Sequence, residues 1–97
     1  MISEKIRNLR KNFNINQVEL ANKLGVTKQC VSNWENDNIL PSVDMLVKIA
    51  KYFNVTTDYL LELSTNNTID VSGLTDIQIA HIKLIVQDMK KLNSQEQ

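Results

Sequence analysis

The side chains best suited to recognising another molecule lie close together between residues 28 and 36. At about 100° per residue, a helix through this segment places five polar side chains, none of them acidic, on one side: Lys28, Gln29, Ser32, Asn33 and Asn36. Amide, hydroxyl and ammonium groups are the ones that hydrogen-bond to base edges in the major groove of DNA. The pattern therefore predicts a nucleic-acid-facing surface, with Lys28, Gln29, Ser32 and Asn33 as the base-reading residues.

The other side of that helix carries side chains suited to packing on a protein core. Thr27, Cys30, Val31 and Trp34 fall opposite the polar residues. Any solvated helix face is also polar, but such faces accommodate glutamate as readily as lysine, so the lack of carboxylates here favours an anionic partner. We expect Trp34 to anchor the core and Cys30 to be an inert, inward-facing thiol.

A second short helix is predicted immediately before this one. Asn16 and Glu19 have the spacing of a capping box at its start, and Thr27 is placed to cap the helix that follows. Gly25 lies between the two, where a left-handed residue allows the chain to reverse. Two short capped helices joined by a glycine turn, here NQVELANKLGVTKQCVSNW, are typical of a helix-turn-helix motif.

Caps and apolar spacing divide the rest of the chain into helices as well. Further caps are predicted at Ser3, Ser42, Thr56 and Thr75, the last in a capping box with Gln78. The predicted helices cover residues 4–13, 17–24, 28–35, 43–53, 57–63 and 76–92. Because only two glycines and one proline interrupt 97 residues, the expected fold class is all-α.

The chain is expected to divide into a domain, a linker and a C-terminal helix. Five short helices in residues 1–63 can bury their apolar stripes against one another. Residues 64–73, STNNTIDVSG, have the composition of a linker. Residues 74–97 are predicted to form an oligomerisation helix that ends in a frayed polar tail over 93–97.

Charge is unevenly distributed, although the formal net charge of the chain is +0. Residues 1–34 hold six basic and two acidic side chains, a net charge of +4, whereas residues 35–63 carry −3. The part of the chain that contains the predicted helix-turn-helix is therefore the part that favours a polyanion.

Several classes of function lack the residues that they need. Cys30 is the only cysteine and His81 the only histidine, so we expect no intrachain disulfide, no conventional zinc site and no cofactor. No nucleophile, base and orienting group combine into a catalytic set, so no enzymatic activity is expected. Apolar runs fall far short of the roughly 20 residues of a membrane span, and the cysteine content suits the cytoplasm.

The C-terminal helix has more apolar surface than one neighbour can cover. Its apolar side chains extend over about 260° of arc, whereas a surface helix needs a stripe of about 100°. We expect it to pack on its own domain and also on a second copy of the chain, through Ile82, Ile85, Val86, Met89 and Leu92. Docking on a different polypeptide, or completing a monomeric core, are the alternatives.

Residues 1–63 resemble the DNA-binding domain of the lambdoid phage repressor and Cro family, the XRE-type bacterial regulators. The resemblance is carried by IRNLR at 6–10, NQVELANKL at 16–24, GVT at 25–27, VSNWE at 31–35, PS at 41–42 and VTTDYLL at 55–61.

The resemblance implies a five-helix domain in which Gln17 binds a DNA phosphate and the polar side of the third helix meets the major groove. It also implies an internal ion pair between Arg10 and Glu35. Family members often have glycine where this chain has Asn14 and Asp37 or Asn38. Asparagine and aspartate also tolerate left-handed conformations, so the same turns are expected.

These features together predict a sequence-specific DNA-binding transcriptional regulator, in particular a repressor that binds a palindromic operator in double-stranded DNA as a homodimer. We expect phosphate contacts from Asn16, Gln17 and Thr27, because anions bind at helix N-termini. Asn36 is expected to contact a phosphate as well, because the loop from Asn36 to Leu40 should lie near the DNA backbone. The alternative is an antitoxin or anti-regulator that acts by docking its C-terminal helix on a protein partner.

Overall fold

The computed structural model describes residues 1–95 of the chain. Within them it contains six helices: α1 (Ile2–Asn12), α2 (Gln17–Leu24), α3 (Lys28–Glu35), α4 (Val43–Phe53), α5 (Thr57–Leu60) and α6 (Asp76–Gln95). The predicted all-α fold class is confirmed. None of the helices in this part of the chain is long and apolar enough to cross a membrane.

Most helices begin at the predicted caps, because each cap is a hydrogen bond between near neighbours in sequence. Asn16 Oδ1 accepts from Glu19 N–H at 2.8 Å, and Glu19 Oε1 accepts from Asn16 N–H at 3.0 Å, which completes the capping box of α2. Thr75 and Gln78 make the same reciprocal pair at the start of α6. Ser42 and Thr56 cap α4 and α5.

Three predicted helix ends differ from the structure by two or three residues. The first helix starts at Ile2 with Met1 as its N-cap, and Ser3 is buried inside the helix instead of capping it. The fifth ends at Leu60, and two residues later Glu62 adopts a left-handed conformation (φ 60°) that a right-handed helix cannot contain. The Glu62 carboxylate accepts from the Met1 amino group at 2.7 Å. Residues 93–95 of the predicted frayed tail are helical, and 96–97 lie outside the described residues.

The core lies between the first five helices, and each of these helices contributes buried side chains to it. Its fully buried large side chains are Ile6, Leu20, Val31, Ile49 and Leu60. Phe13, just after α1, packs edge-on against buried Phe53 with ring centroids 4.9 Å apart. Burial of these apolar side chains is the main force that holds the two helices of the motif in place.

The linker is attached to the end of α4, whereas α6 stands apart from the core. Asn54 Oδ1 accepts from Asp70 N–H at 2.6 Å, and Asn54 Nδ2 donates to the Asp70 carbonyl at 3.2 Å. No side chain of α6 is buried. The expectation that this helix packs on its own domain was therefore wrong, because linker residues, and not the core, lie beside its apolar surface.

Candidate nucleic-acid interface

The third helix is held by its apolar side and exposes its polar side. Val31 is 0% and Trp34 3% exposed, and Cys30 is half-buried between them and the surface. Lys28 and Gln29 are exposed, while Ser32 and Asn33 are half-buried on the same side. The four predicted base-reading side chains therefore lie on one accessible surface, which we call the α3 polar face.

A buried carboxylate at the end of α3 connects this helix to α1 and α2. Glu35 Oε2 accepts from Arg10 Nε at 2.7 Å, and Glu35 Oε1 accepts from Arg10 Nη2 at 3.0 Å, so the two side chains form a bidentate ion pair. Gln17 Nε2 donates to Glu35 Oε1 at 3.1 Å. Arg10 Nη1 also donates to the Ile15 carbonyl at 3.0 Å, so one guanidinium joins the turn between α1 and α2 to α3.

Opposing effects act on the pKa of the Glu35 carboxyl. Burial raises that pKa, but hydrogen bonds from Arg10 and Gln17, together with the positive charges of Arg10 and Arg7, outweigh the burial. The pKa therefore lies below its ordinary value, and the carboxylate stays charged. The hydrogen bond to Glu35 raises the pKa of the Arg10 guanidinium in turn.

Arg7 is a further member of this network that sequence reasoning missed. Its Nη2 donates to the Glu35 carbonyl at 2.8 Å and to Asn36 Oδ1 at 3.3 Å. Asn36 Nδ2 in turn donates to Ser32 Oγ at 3.2 Å, so a chain of hydrogen bonds runs from α1 to the α3 polar face. The signal in the sequence was the spacing of Arg7 and Arg10, which places both on one side of a helix.

Two of the predicted base-reading residues are bonded to each other. Gln29 Nε2 donates to Asn33 Oδ1 at 3.1 Å, one turn along the helix. The bond leaves the Gln29 carbonyl as an acceptor and the Asn33 amide nitrogen as a donor. An acceptor beside a donor is the pattern that adenine complements in the major groove.

Three of the predicted phosphate-binding residues lie at helix starts, whereas Asn36 follows the end of α3, and all four already make internal hydrogen bonds. Asn16 Oδ1 and Thr27 Oγ1 accept from backbone N–H groups of their own helices. Gln17, half-buried at the first position of α2, donates one amide hydrogen to Glu35, and Asn36 donates to Ser32. Each side chain keeps an O–H or N–H donor, the kind of group that a phosphate oxygen accepts from.

The turns beside the motif adopt the left-handed conformations that its geometry requires. Gly25 ends α2 with φ 73°. Asn14 and Asp37 take φ values of 57° and 60° where family members often have glycine. Among residues 1–95, no group of three His, Cys, Asp or Glu side chains could hold a metal ion.

Comparison with known proteins agrees with this geometry. The family model described as helix-turn-helix matches residues 6–60. The HTH-type transcriptional regulator ImmR of Bacillus subtilis (strain 168) is 34% identical over 77 residues, which cover 76% of this chain and 61% of that protein. The chain thus spans less than two thirds of the length of this relative.

Solved structures share the fold. The P22 c2 repressor protein in complex with a synthetic operator superposes with a TM-score of 0.60 at 32% identity, over 62% of this chain and 91% of that chain. A chain of the SinR protein/SinI protein complex superposes with a TM-score of 0.60 at 28% identity, over 94% of this chain and 98% of that one. Because the family model matches more than half of the chain, this protein belongs to the helix-turn-helix family of XRE-type, phage-repressor-like proteins.

Proposed function

We propose that the chain is a sequence-specific DNA-binding transcriptional regulator of the cytoplasm that represses by occupying a palindromic operator as a homodimer. The α3 polar face carries this proposal. It exposes ammonium, amide and hydroxyl groups, while Val31 and Trp34 on the other side of the same helix are buried. Membership of the helix-turn-helix family and the likeness to an operator-bound repressor support the same function.

In this proposal α3 enters the major groove with its N-terminal end leading, as recognition helices do. Lys28 and Gln29 reach base edges first, and Ser32 and Asn33 read the following positions. Donors at Asn16, Gln17, Thr27 and Asn36 bind phosphates on either side, which fixes the position of α3 without reading sequence. The Arg10–Glu35 ion pair joins α3 to α1.

Selection of bound sites from random duplex DNA tests the proposal. We expect enrichment of an inverted repeat whose half-sites are about one helical turn, 10–10.5 base pairs, apart. Affinity for the selected site should fall steeply with salt, because phosphate contacts release counterions. Transcription in vitro from a promoter that overlaps this site should decrease on addition of the protein. Failure to enrich any sequence contradicts the regulator, and a single half-site without a repeat contradicts the palindrome.

A second candidate, docking of α6 on a different polypeptide, is favoured by the exposure of its apolar side chains and by the SinR/SinI complex among the structural relatives. The residues of the dimer interface predicted for the first candidate do not all lie in the same environment. Ile82 and Val86 line a groove beside the linker, where Val86 is still 42% exposed, whereas Ile85, Met89 and Leu92 are exposed outside this groove. Sedimentation of the purified protein discriminates the two: a concentration-dependent dimer favours the homodimer, and a monomer favours the other partner.

A further inference from the structure

The apolar surface of α6 has two sides in different surroundings. On one side, Ile79, Ile82 and Val86 line a shallow groove together with Ile69 and Val71 of the linker. On the other side, a row of large apolar side chains has no such neighbour among the residues that the structure describes, with exposures of 54–72%: Ile77, Leu84, Ile85 and Leu92. We call this row the α6 outer stripe.

Two charged or ionisable side chains lie in the middle of the α6 outer stripe. At about 100° per residue, His81 and Asp88 fall between the apolar positions, and both are exposed. They are seven residues apart, or about 10.5 Å along the helix. Polar residues within an otherwise apolar helical contact are the ones that fix its register and orientation.

We infer that a second copy of this chain packs its α6 antiparallel on the α6 outer stripe, with the two-fold axis between Leu84 and Ile85. The inference rests on the homodimer of the proposed function and adds its orientation and register. Of the five predicted interface residues it keeps Ile85 and Leu92 and leaves out Met89, whereas Ile82 and Val86 line the groove beside the linker. The symmetry brings His81 against the partner's Asp88, and Asp88 against the partner's His81. The same register places Ile77 beside the partner's Leu92, and Leu84 beside the partner's Ile85.

Angular positions on the helix support this register. Measured from the centre of the α6 outer stripe, the two members of each proposed pair lie at about equal and opposite angles, as residues of one layer do in an antiparallel helix pair. The register forms three kinds of pair within the α6 outer stripe: Ile77 with Leu92 and Leu84 with Ile85 are apolar, and His81 with Asp88 joins one histidine to one carboxylate. The imidazole can donate an N–H to the carboxylate in either protonation state.

A parallel arrangement of the same stripe juxtaposes like groups. It places His81 against the partner's His81, and Asp88 against the partner's Asp88. Two carboxylates that share a desolvated contact repel each other, which selects against this orientation. Charge complementarity within the stripe therefore favours a second, antiparallel copy of the chain as its occupant.

Disulfide trapping tests the orientation directly. In a Cys30→Ser background, His81→Cys and Asp88→Cys are prepared as separate proteins, oxidised mildly alone or as an equimolar mixture, and analysed on a non-reducing gel. A disulfide needs Cα atoms about 4.4–6.8 Å apart. We expect a covalent dimer only in the mixture. Rapid cross-linking of either single variant alone indicates the parallel orientation and overturns the inference.

Charge exchange provides a second readout that does not depend on oxidation. Asp88→Lys alone places two basic groups together and should weaken the dimer about tenfold or more. Adding His81→Glu to that variant restores opposite charges only in the antiparallel register, so its dissociation constant, measured by sedimentation, should return to within about threefold of the original chain. Failure of the double variant to recover overturns the register.

These outcomes separate the inference from the proposed function. An original chain that stays monomeric at high concentration refutes the homodimer and the register together. A dimer that cross-links in the parallel pattern refutes the register alone. Cross-linking only in the mixture, with no sequence selected from random DNA, supports the register and refutes the regulator.

Discussion

Replacing Arg10 with methionine tests whether the buried ion pair with Glu35 holds α3 in position. Removing one partner of a buried ion pair destabilises a protein by about 3–5 kcal/mol, because an unpaired charge remains inside. Here the Glu35 side chain is 0% and the Arg10 side chain 12% exposed, so solvent screens the pair weakly. Gln17 at 3.1 Å and Arg7 at 3.7 Å still face the carboxylate, which places the expected loss at the low end, about 3 kcal/mol.

Urea unfolding followed by circular dichroism measures this loss. For a slope of about 1–1.5 kcal/mol per molar, the midpoint should fall by about 2–3 M. Lys11→Met removes the same charge from an exposed neighbour on α1 and should change stability by less than about 0.5 kcal/mol. A further Glu35→Met change in the Arg10→Met protein should recover part of the loss, because no charge is then left unpaired. Equal midpoints for Arg10→Met and Lys11→Met refute the reasoning.

Three further results are expected. The pKa of Glu35 lies below its ordinary 4.5. The ionised Glu35 carboxylate therefore stabilises the folded state above about pH 4.5, and this stabilisation is lost as pH falls through the lowered pKa. Acidification should therefore reduce the urea midpoint of the original chain more than that of Glu35→Gln. Gln29→Ala should weaken binding to the selected operator by about 1–3 kcal/mol at fixed salt, whereas Asn93→Ala, which removes an exposed amide on α6, should not. Gly25→Ala should destabilise the fold by about 1–2 kcal/mol through its left-handed φ of 73° alone, since within residues 1–95 no atom beyond the two neighbouring residues lies within 4 Å of the added carbon. Asp37→Gly, at φ 60°, should not destabilise the fold.

Helix starts could be predicted wherever a local hydrogen bond defines them. The caps at Asn16, Thr27 and Thr75 depend on residues three positions along the chain, so their spacing in the sequence is sufficient. Ser3 has the right residue type for a cap, yet α1 begins before it, and Met1, its N-cap, contacts Glu62 just after α5. That contact joins residues 61 positions apart and has no local signature.

The polar face and the apolar side of α3 could also be predicted from the sequence, since both follow from the helical period of 3.6 residues. The sequence also predicted the total apolar surface of α6, but it did not predict which apolar side chains face the linker and which face solvent. Whether a given isoleucine of α6 lies beside the linker or in the α6 outer stripe depends on the path of residues 64–73, which Asn54 fixes through Asp70.

The sequence by itself determined the all-α class, the position of the helix-turn-helix and the side chains that α3 exposes, because caps, glycine turns and helical periodicity act over a few residues. The family resemblance implied the Arg10–Glu35 pair, but only the tertiary structure decided that Arg7 and Gln17 join it at the end of α3, and that α6 leaves the core. The physical reason is that such contacts depend on how whole helices pack against one another. Packing brings together residues that are far apart in the sequence, and no regular spacing in the sequence indicates which residues will meet.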